Sequence, residues 1–188
     1  MTTSPHDGKA MQSLLEAAAS AGDGLPPVEK WNPEHCGTMD MEIRRDGSWW
    51  HDGTRITRDR LVRLFSTILR KDDDGVHYLV TPVEKQAVRV EIAPFLAVRV
   101  DRAERDGRQV LIFTTNLGDL AEAGPEHPIR VEIDPETKEP TPFVLVRGRL
   151  EALITRAVFY ELVEMAAQDG NRLTIDSGGQ KFELGSVA

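Results

Sequence analysis

Apolar residues follow two spacings along this chain. They alternate with polar ones over most of its length and switch to helical spacing in three places. The first is residues 9–20, where Met11, Leu14, Leu15 and Ala18 recur on one side of a short helix that Gly22-Asp23-Gly24 stops. Pro26-Pro27 then makes a stiff link to the rest. The second predicted helix covers 57–70, with Leu61, Val62, Leu64, Phe65, Ile68 and Leu69 as its stripe and Thr57 as its cap. The third covers 155–168, with Val158, Phe159, Leu162, Val163 and Ala166 together.

Strands are expected at 39–43, 77–81, 87–92, 95–100, 109–114, 129–133, 143–146, 173–175 and 181–184. Asp46-Gly47 and Asp106-Gly107 are hairpin turns, because both residue types tolerate positive φ. Trp49 and Trp50 lie on a return strand and face opposite sides of it. Residues 118–128 read as a loop with one helical turn at 119–122. Ile-Thr-Arg opens a helix at 56–58 and again at 154–156, and strands flank each helix. This self-similarity predicts two related strand-strand-helix-strand-strand units. The fold class is α+β, with one helix packed on a curved antiparallel sheet in each unit. The boundaries are a tail and short helix over 1–27, a first unit over 28–93 and a second over 94–188.

Charge narrows the chemistry. A net charge of −8 opposes nucleic-acid binding and a basic membrane surface. No apolar run is long enough to cross a bilayer, the N-terminus has no secretory pattern, and residues 1–8 read as disordered. A single cysteine, Cys36, fits a reducing compartment, so a cytoplasmic protein is expected.

Several motifs together resemble one family. They are W-x-P-x-x-C-G at 31–37, D-M-x-I at 40–43, D-G-x-W at 46–49 and H-x-G-x-x-I at 51–56. LVRLFSTIL at 61–69, YLVTPVEK at 78–85, APF at 93–95, TNLGD at 115–119, HPIR at 127–130, RGRLEALITR and YELV continue the match. This set resembles the proteobacterial domain-of-unknown-function 1285 family (DUF1285) over nearly the whole chain after Pro27. The resemblance implies a duplicated core whose second domain is superficially pleckstrin-homology-like. It also implies a small, nucleotide-like ligand in the cleft between domains and a role in signal transduction. It implies no reaction and therefore no catalytic residue.

Candidate residues follow from chemistry. Trp49, Trp50 and His51 form an aromatic platform suited to a planar ring. Thr81, Glu84 and Lys85 offer a hydroxyl, a carboxylate and an ammonium at a proline-fixed bend, and Thr115 with Asn116 offers a similar set at a strand end. Arg58 stands where the helix dipole disfavours a cation, so it is expected to pair with an acid such as Asp40 or to reach a ligand's negative group. The expected site is the meeting of the two units, because small-molecule pockets favour domain interfaces. Two other readings stand beside this one. One is an enzyme acting on a polar metabolite through Cys36 and His35 or an acid–histidine pair. The other is an interaction module presenting an exposed Trp. No metal or cofactor is expected. His35, Cys36, His51 and His77 lack paired ligand spacing, Asp72 and Asp74 lack the remaining calcium ligands, and no phosphate-binding glycine motif is present.

Overall fold

The computed structural model describes residues 5–20, 22 and 24–187. It divides into two compact units, Met1–Ile92 and Ala93–Ala188. Among the described residues no helix is long and apolar enough to cross a membrane.

The first unit opens with helix α1 (Pro5–Ala19) and a 3-10 turn at Val28–Lys30. The helix begins earlier than the sequence spacing indicates and takes in residues 5–8; residues 1–4 lie outside the described set. Six strands then make one sheet: β1 (His35–Ile43), β2 (Trp49–His51), β3 (Thr54–Arg55), β4 (Leu69–Lys71), β5 (His77–Val80) and β6 (Glu84–Val90). Their order across the sheet is β3-β2-β1-β6-β5-β4. Helix α2 (Asp59–Ser66) joins β3 to β4, which are the two opposite edges, so it has to cross a face of the sheet. That crossing explains its stripe. Val62 and Phe65 are buried with Met39, Met41, Ile43, Leu79 and Val88 from one face of the strands, and Leu14 and Ala18 of α1 complete this core.

The helix is shorter than the expected 57–70. It ends at Ser66 because Ile68, Leu69 and Arg70 leave the spiral; Val80 N–H donates to the Ile68 carbonyl, and Leu69 and Arg70 pair with β5. Its N-cap is Arg58, not Thr57, and no side chain caps it.

The second unit repeats this sheet. Its strands are β7 (Phe95–Arg105), β8 (Arg108–Thr115), β9 (Leu120–Glu122), β10 (Ile129–Ile133), β11 (Pro140–Arg147) and β12 (Leu150–Ile154), in the order β10-β11-β12-β7-β8-β9. In both units two three-stranded meanders meet through their first and last strands. That meeting is the one parallel pair, β1 with β6 and β7 with β12. The sheets are therefore mixed at the centre and antiparallel elsewhere. The loop from β9 to β10 spans opposite edges in only six residues, and Gly124 N–H donating to the His127 carbonyl folds it back. A flat six-stranded sheet would hold those edges roughly 24 Å apart, so this sheet must curl. The expected helical turn at 119–122 is β9, drawn into the ladder by Phe113 opposite Ala121.

Helix α3 (Arg156–Met165) follows β12 and leads to a small sheet of β13 (Ala167–Asp169), β14 (Arg172–Ser177) and β15 (Gln180–Ser186). The duplicated element is thus the six-stranded sheet, with the helix between meanders in one unit and after them in the other. The turn of the small sheet docks on the large one through Ser177. Its fully buried Oγ accepts from Leu111 N–H at 2.8 Å and donates to the Ala123 carbonyl at 2.7 Å.

Candidate functional site

The outer face of the first sheet carries the densest group of aromatic and charged side chains. Strand alternation sends Met39, Met41 and Ile43 of β1 inward and Asp40 and Glu42 outward. Glu42 stands opposite Trp50, and Trp50 opposite Arg55, so the three share the outer face across β1, β2 and β3. Trp50 is half-buried, and its Nε1–H donates to Ser48 Oγ at 2.8 Å, which fixes the plane of the indole. The guanidinium of Arg44 lies over that ring, 3.8 Å from its centroid. Arg44 Nε is 3.6 Å from Glu42, and Arg89 bridges Glu42 and Asp40 at 3.6 and 3.5 Å. Asp46 is held below the usual carboxylate range, first by the hydroxyl and N–H of Ser48 and then by the nearby Arg55 and Arg44. The result is a fixed indole with one guanidinium over its ring and a second arginine opposite it in the ladder.

The structure separates the candidate residues. Trp49, the neighbour of Trp50 on the strand and projecting to the opposite side, is 1% exposed and sits opposite Ile43; His51 faces the same inner side opposite Met41. Only one of the three platform residues is therefore on the outer face. Arg58 is exposed at the start of α2, and its expected partner Asp40 is taken by Arg89.

Thr81, Glu84 and Lys85 have structural partners. Thr81 is 1% exposed and its Oγ1 accepts from Val83 and Glu84 N–H at 3.3 and 3.1 Å. Glu84 accepts from Gln86 Nε2 at 3.0 Å. Lys85 Nζ donates to Asp72 Oδ2 at 2.8 Å and lies 4.3 Å from the Tyr78 ring centroid. Burial acts to raise the Asp72 carboxyl, but Arg70 and Lys85 outweigh it and leave the group below its ordinary value. Tyr78 donates to Asp74 at 2.6 Å, a bond that pushes the phenol up to about 12. Asp72 and Asp74 thus hold an arginine, a lysine and a tyrosine. Among the described residues no group of three or more His, Cys, Asp or Glu side chains is arranged around a common point for a metal.

Thr115 and Asn116 close a turn in the second unit. Thr115 Oγ1 accepts from Leu117 and Asp119 N–H, and Asn116 Oδ1 accepts from Leu96 N–H at 3.0 Å. Asp119 in turn pairs with Arg147, whose guanidinium is 5.0 Å from the Phe95 ring centroid. TNLGD is a strand-end lock in this fold. His35 and Cys36 are both exposed, but as consecutive residues of β1 they project to opposite faces, so they do not form a nucleophile–base pair.

Arg44 and Arg55 were not among the expected residues. Their signal in the sequence is a local one: residues 44–63 contain six arginines against three aspartates in a chain of net charge −8.

The N-terminal domain of the domain of unknown function DUF1285 matches residues 26–93, and the C-terminal domain of the same family matches residues 94–184. The crystal structure of a DUF1285 family protein from Silicibacter pomeroyi DSS-3 is similar at 47% identity and a TM-score of 0.83, covering 93% of this chain and 95% of that one. A DUF1285 family protein from Shewanella baltica OS155 is similar at 28% identity and a TM-score of 0.52, covering 66% of this chain and 90% of that one. No curated protein matches. With both family domains matched in order over most of its length, the chain belongs to the DUF1285 family.

Proposed function

We propose that the protein is a cytoplasmic ligand-binding protein that takes a small, planar, anionic ligand of nucleotide-like chemistry on the outer face of its first sheet. One observation carries this reading: the half-buried Trp50 indole is held by Ser48, with Arg44 over its ring and Arg55 opposite it in the ladder. An indole offers a stacking surface to any aromatic ring, and a guanidinium offers a fork that matches a phosphate or carboxylate. Arg44 already stacks on this ring, so a planar ligand exchanges one π-face contact for another instead of filling a void. The arginines also give the one group a ligand of this class requires in a protein of net charge −8. Lys85 supports the fold through Asp72 and is left out of the ligand's contacts. The nucleotide-like chemistry and a role in signal transduction rest on the family resemblance, and the cytoplasmic location on the single cysteine.

A thermal-shift panel tests the proposal. It contains adenosine and guanosine mono- and diphosphates, with adenosine and inorganic phosphate as half-ligands. A ligand that binds only the folded state must raise its apparent stability. Stabilisation by a nucleotide that exceeds the effect of either half-ligand is expected, and its loss in Trp50→Ala assigns the site. A panel with no response, or a response unchanged in Trp50→Ala, overturns the reading.

A further inference from the structure

Two buried side-chain nitrogens have no hydrogen-bond partner among the described residues, Trp49 Nε1 and His51 Nε2. They belong to the inner face of β2, separate from the Trp50 face. Trp49 lies opposite Ile43 and His51 opposite Met41, and both of those partners are fully buried. Asp52 Oδ2 is 3.6 Å from His51 Nε2, which is beyond hydrogen-bond reach. Buried polar groups in folded proteins are almost always satisfied, so two unpaired nitrogens on one three-residue strand mark a missing partner.

The chemistry of the pair defines that partner. Residues two apart on a strand project to one side with bases roughly 7 Å apart, close enough for an indole and an imidazole to converge on one atom. The indole N–H only donates, whereas imidazole Nε2 donates or accepts according to tautomer. A hydroxyl-type oxygen satisfies both nitrogens in either tautomer, accepting from Trp49 and donating to or accepting from His51. A carboxylate does so only with a proton on His51 Nε2 and with a charge placed in an apolar core. We infer that Trp49 and His51 together hold one hydroxyl-type oxygen inside the first unit, that of an internal water or of a hydroxyl-bearing small molecule. Trp49 is closed off at 1% exposure, while the side chain of His51 keeps 23% of its surface in solvent and provides the way in.

The test reads the indole proton of Trp49 in the ¹⁵N-labelled full chain. Its resonance is the one of three that Trp49→Phe removes; if that variant does not fold, triple-resonance assignment of the wild type identifies it. The expected result is a cross-relaxation peak between this proton and a bound water or ligand hydroxyl. Addition of ribose, glycerol and lactate in turn separates the two sources. A compound that raises Tm and extinguishes the water peak identifies a ligand hydroxyl, and a water peak indifferent to all three identifies an internal water. Absence of any cross-peak, together with no response to the three compounds, means that no oxygen is held between the two nitrogens and overturns the inference.

Discussion

Arg70 joins the segment before the first strand to the sheet, and its replacement by methionine is the sharpest test of how the first unit is held together. The residue is 8% exposed. Its Nε and Nη2 donate to the two oxygens of Asp72 at 2.6 and 3.1 Å, and its Nη1 donates to the carbonyls of Val28 and Trp31 at 2.7 and 2.8 Å. Arg70→Met keeps the apolar stem but takes this donor from two carbonyls; the Val28 carbonyl keeps the Trp31 N–H at 3.2 Å, and the Trp31 carbonyl loses its arginine partner, at about 1–3 kcal/mol where water cannot reach it. It also breaks one half of a largely buried ion pair, a change typically worth about 3–5 kcal/mol. Asp72 retains Lys85, and contributions within one network do not add. The expected loss is therefore about 3–5 kcal/mol, below the simple sum. All three tryptophans belong to the first unit, so indole fluorescence during urea unfolding reports that unit alone. Arg70→Lys should recover less than half of the loss, because an ammonium cannot reach four acceptors in this geometry. A loss below about 1 kcal/mol in Arg70→Met would refute the assignment of Arg70 as the clasp.

Other perturbations probe separate parts of the fold. Phe65→Ala empties a site that is 0% exposed beneath the sheet and should cost about 3–5 kcal/mol by the same fluorescence assay; a cost under about half a kcal/mol would mean that α2 does not pack there. Gly178→Ala adds a Cβ 2.7 Å from the Ala123 carbonyl oxygen at a backbone φ of +60°. The small sheet should detach locally, seen as faster amide exchange across β14 and β15, and unchanged exchange would contradict the docking described. Burial, and then Lys71, depress His77 to about 4 from its ordinary value of 6.5. The unfolded chain therefore binds the proton more readily, so this contribution to stability is complete above about pH 6.5 and is lost as pH falls towards 4. His77→Asn should flatten that part of the stability–pH curve relative to wild type, and parallel curves would show that the ring titrates freely.

Much of the architecture was legible in the residues because local signals and tertiary packing agreed. The Asp-Gly turns, the alternation of β1 and the division of Trp49 from Trp50 all follow from period-two spacing. The helix end at Ser66 was hidden because Ile68 and Leu69 continue a helical stripe and a strand equally well. Pairing with β5 decides the matter, and no local propensity encodes it. Strand β12 was missed for a similar reason: LEALI is a short apolar run without clean alternation, buried on both sides beside β7. The candidate site was less readable. Thr81, Lys85, Thr115 and Asn116 carry binding chemistry as residue types, yet their hydrogen bonds close turns and tie strands, and only the fold shows those partners. Arg44 and Arg55 are separated by ten residues and meet Trp50 only through the hairpin register.

Calorimetric titration measures directly whether Trp50 and its arginines bind a planar anion. Adenosine monophosphate, or whichever nucleotide of the panel stabilises most, is titrated into the wild type, Trp50→Ala and Arg55→Ala. Loss of base stacking is worth about 1–3 kcal/mol, or roughly 5- to 150-fold in Kd. Trp50→Ala should weaken binding by at least fivefold with little change in fold stability, since the side chain is half-exposed on the outer face. Arg55→Ala should weaken the nucleotide and leave adenosine unaffected. Equal affinities in all three proteins would mean that Trp50 and Arg55 do not hold the ligand.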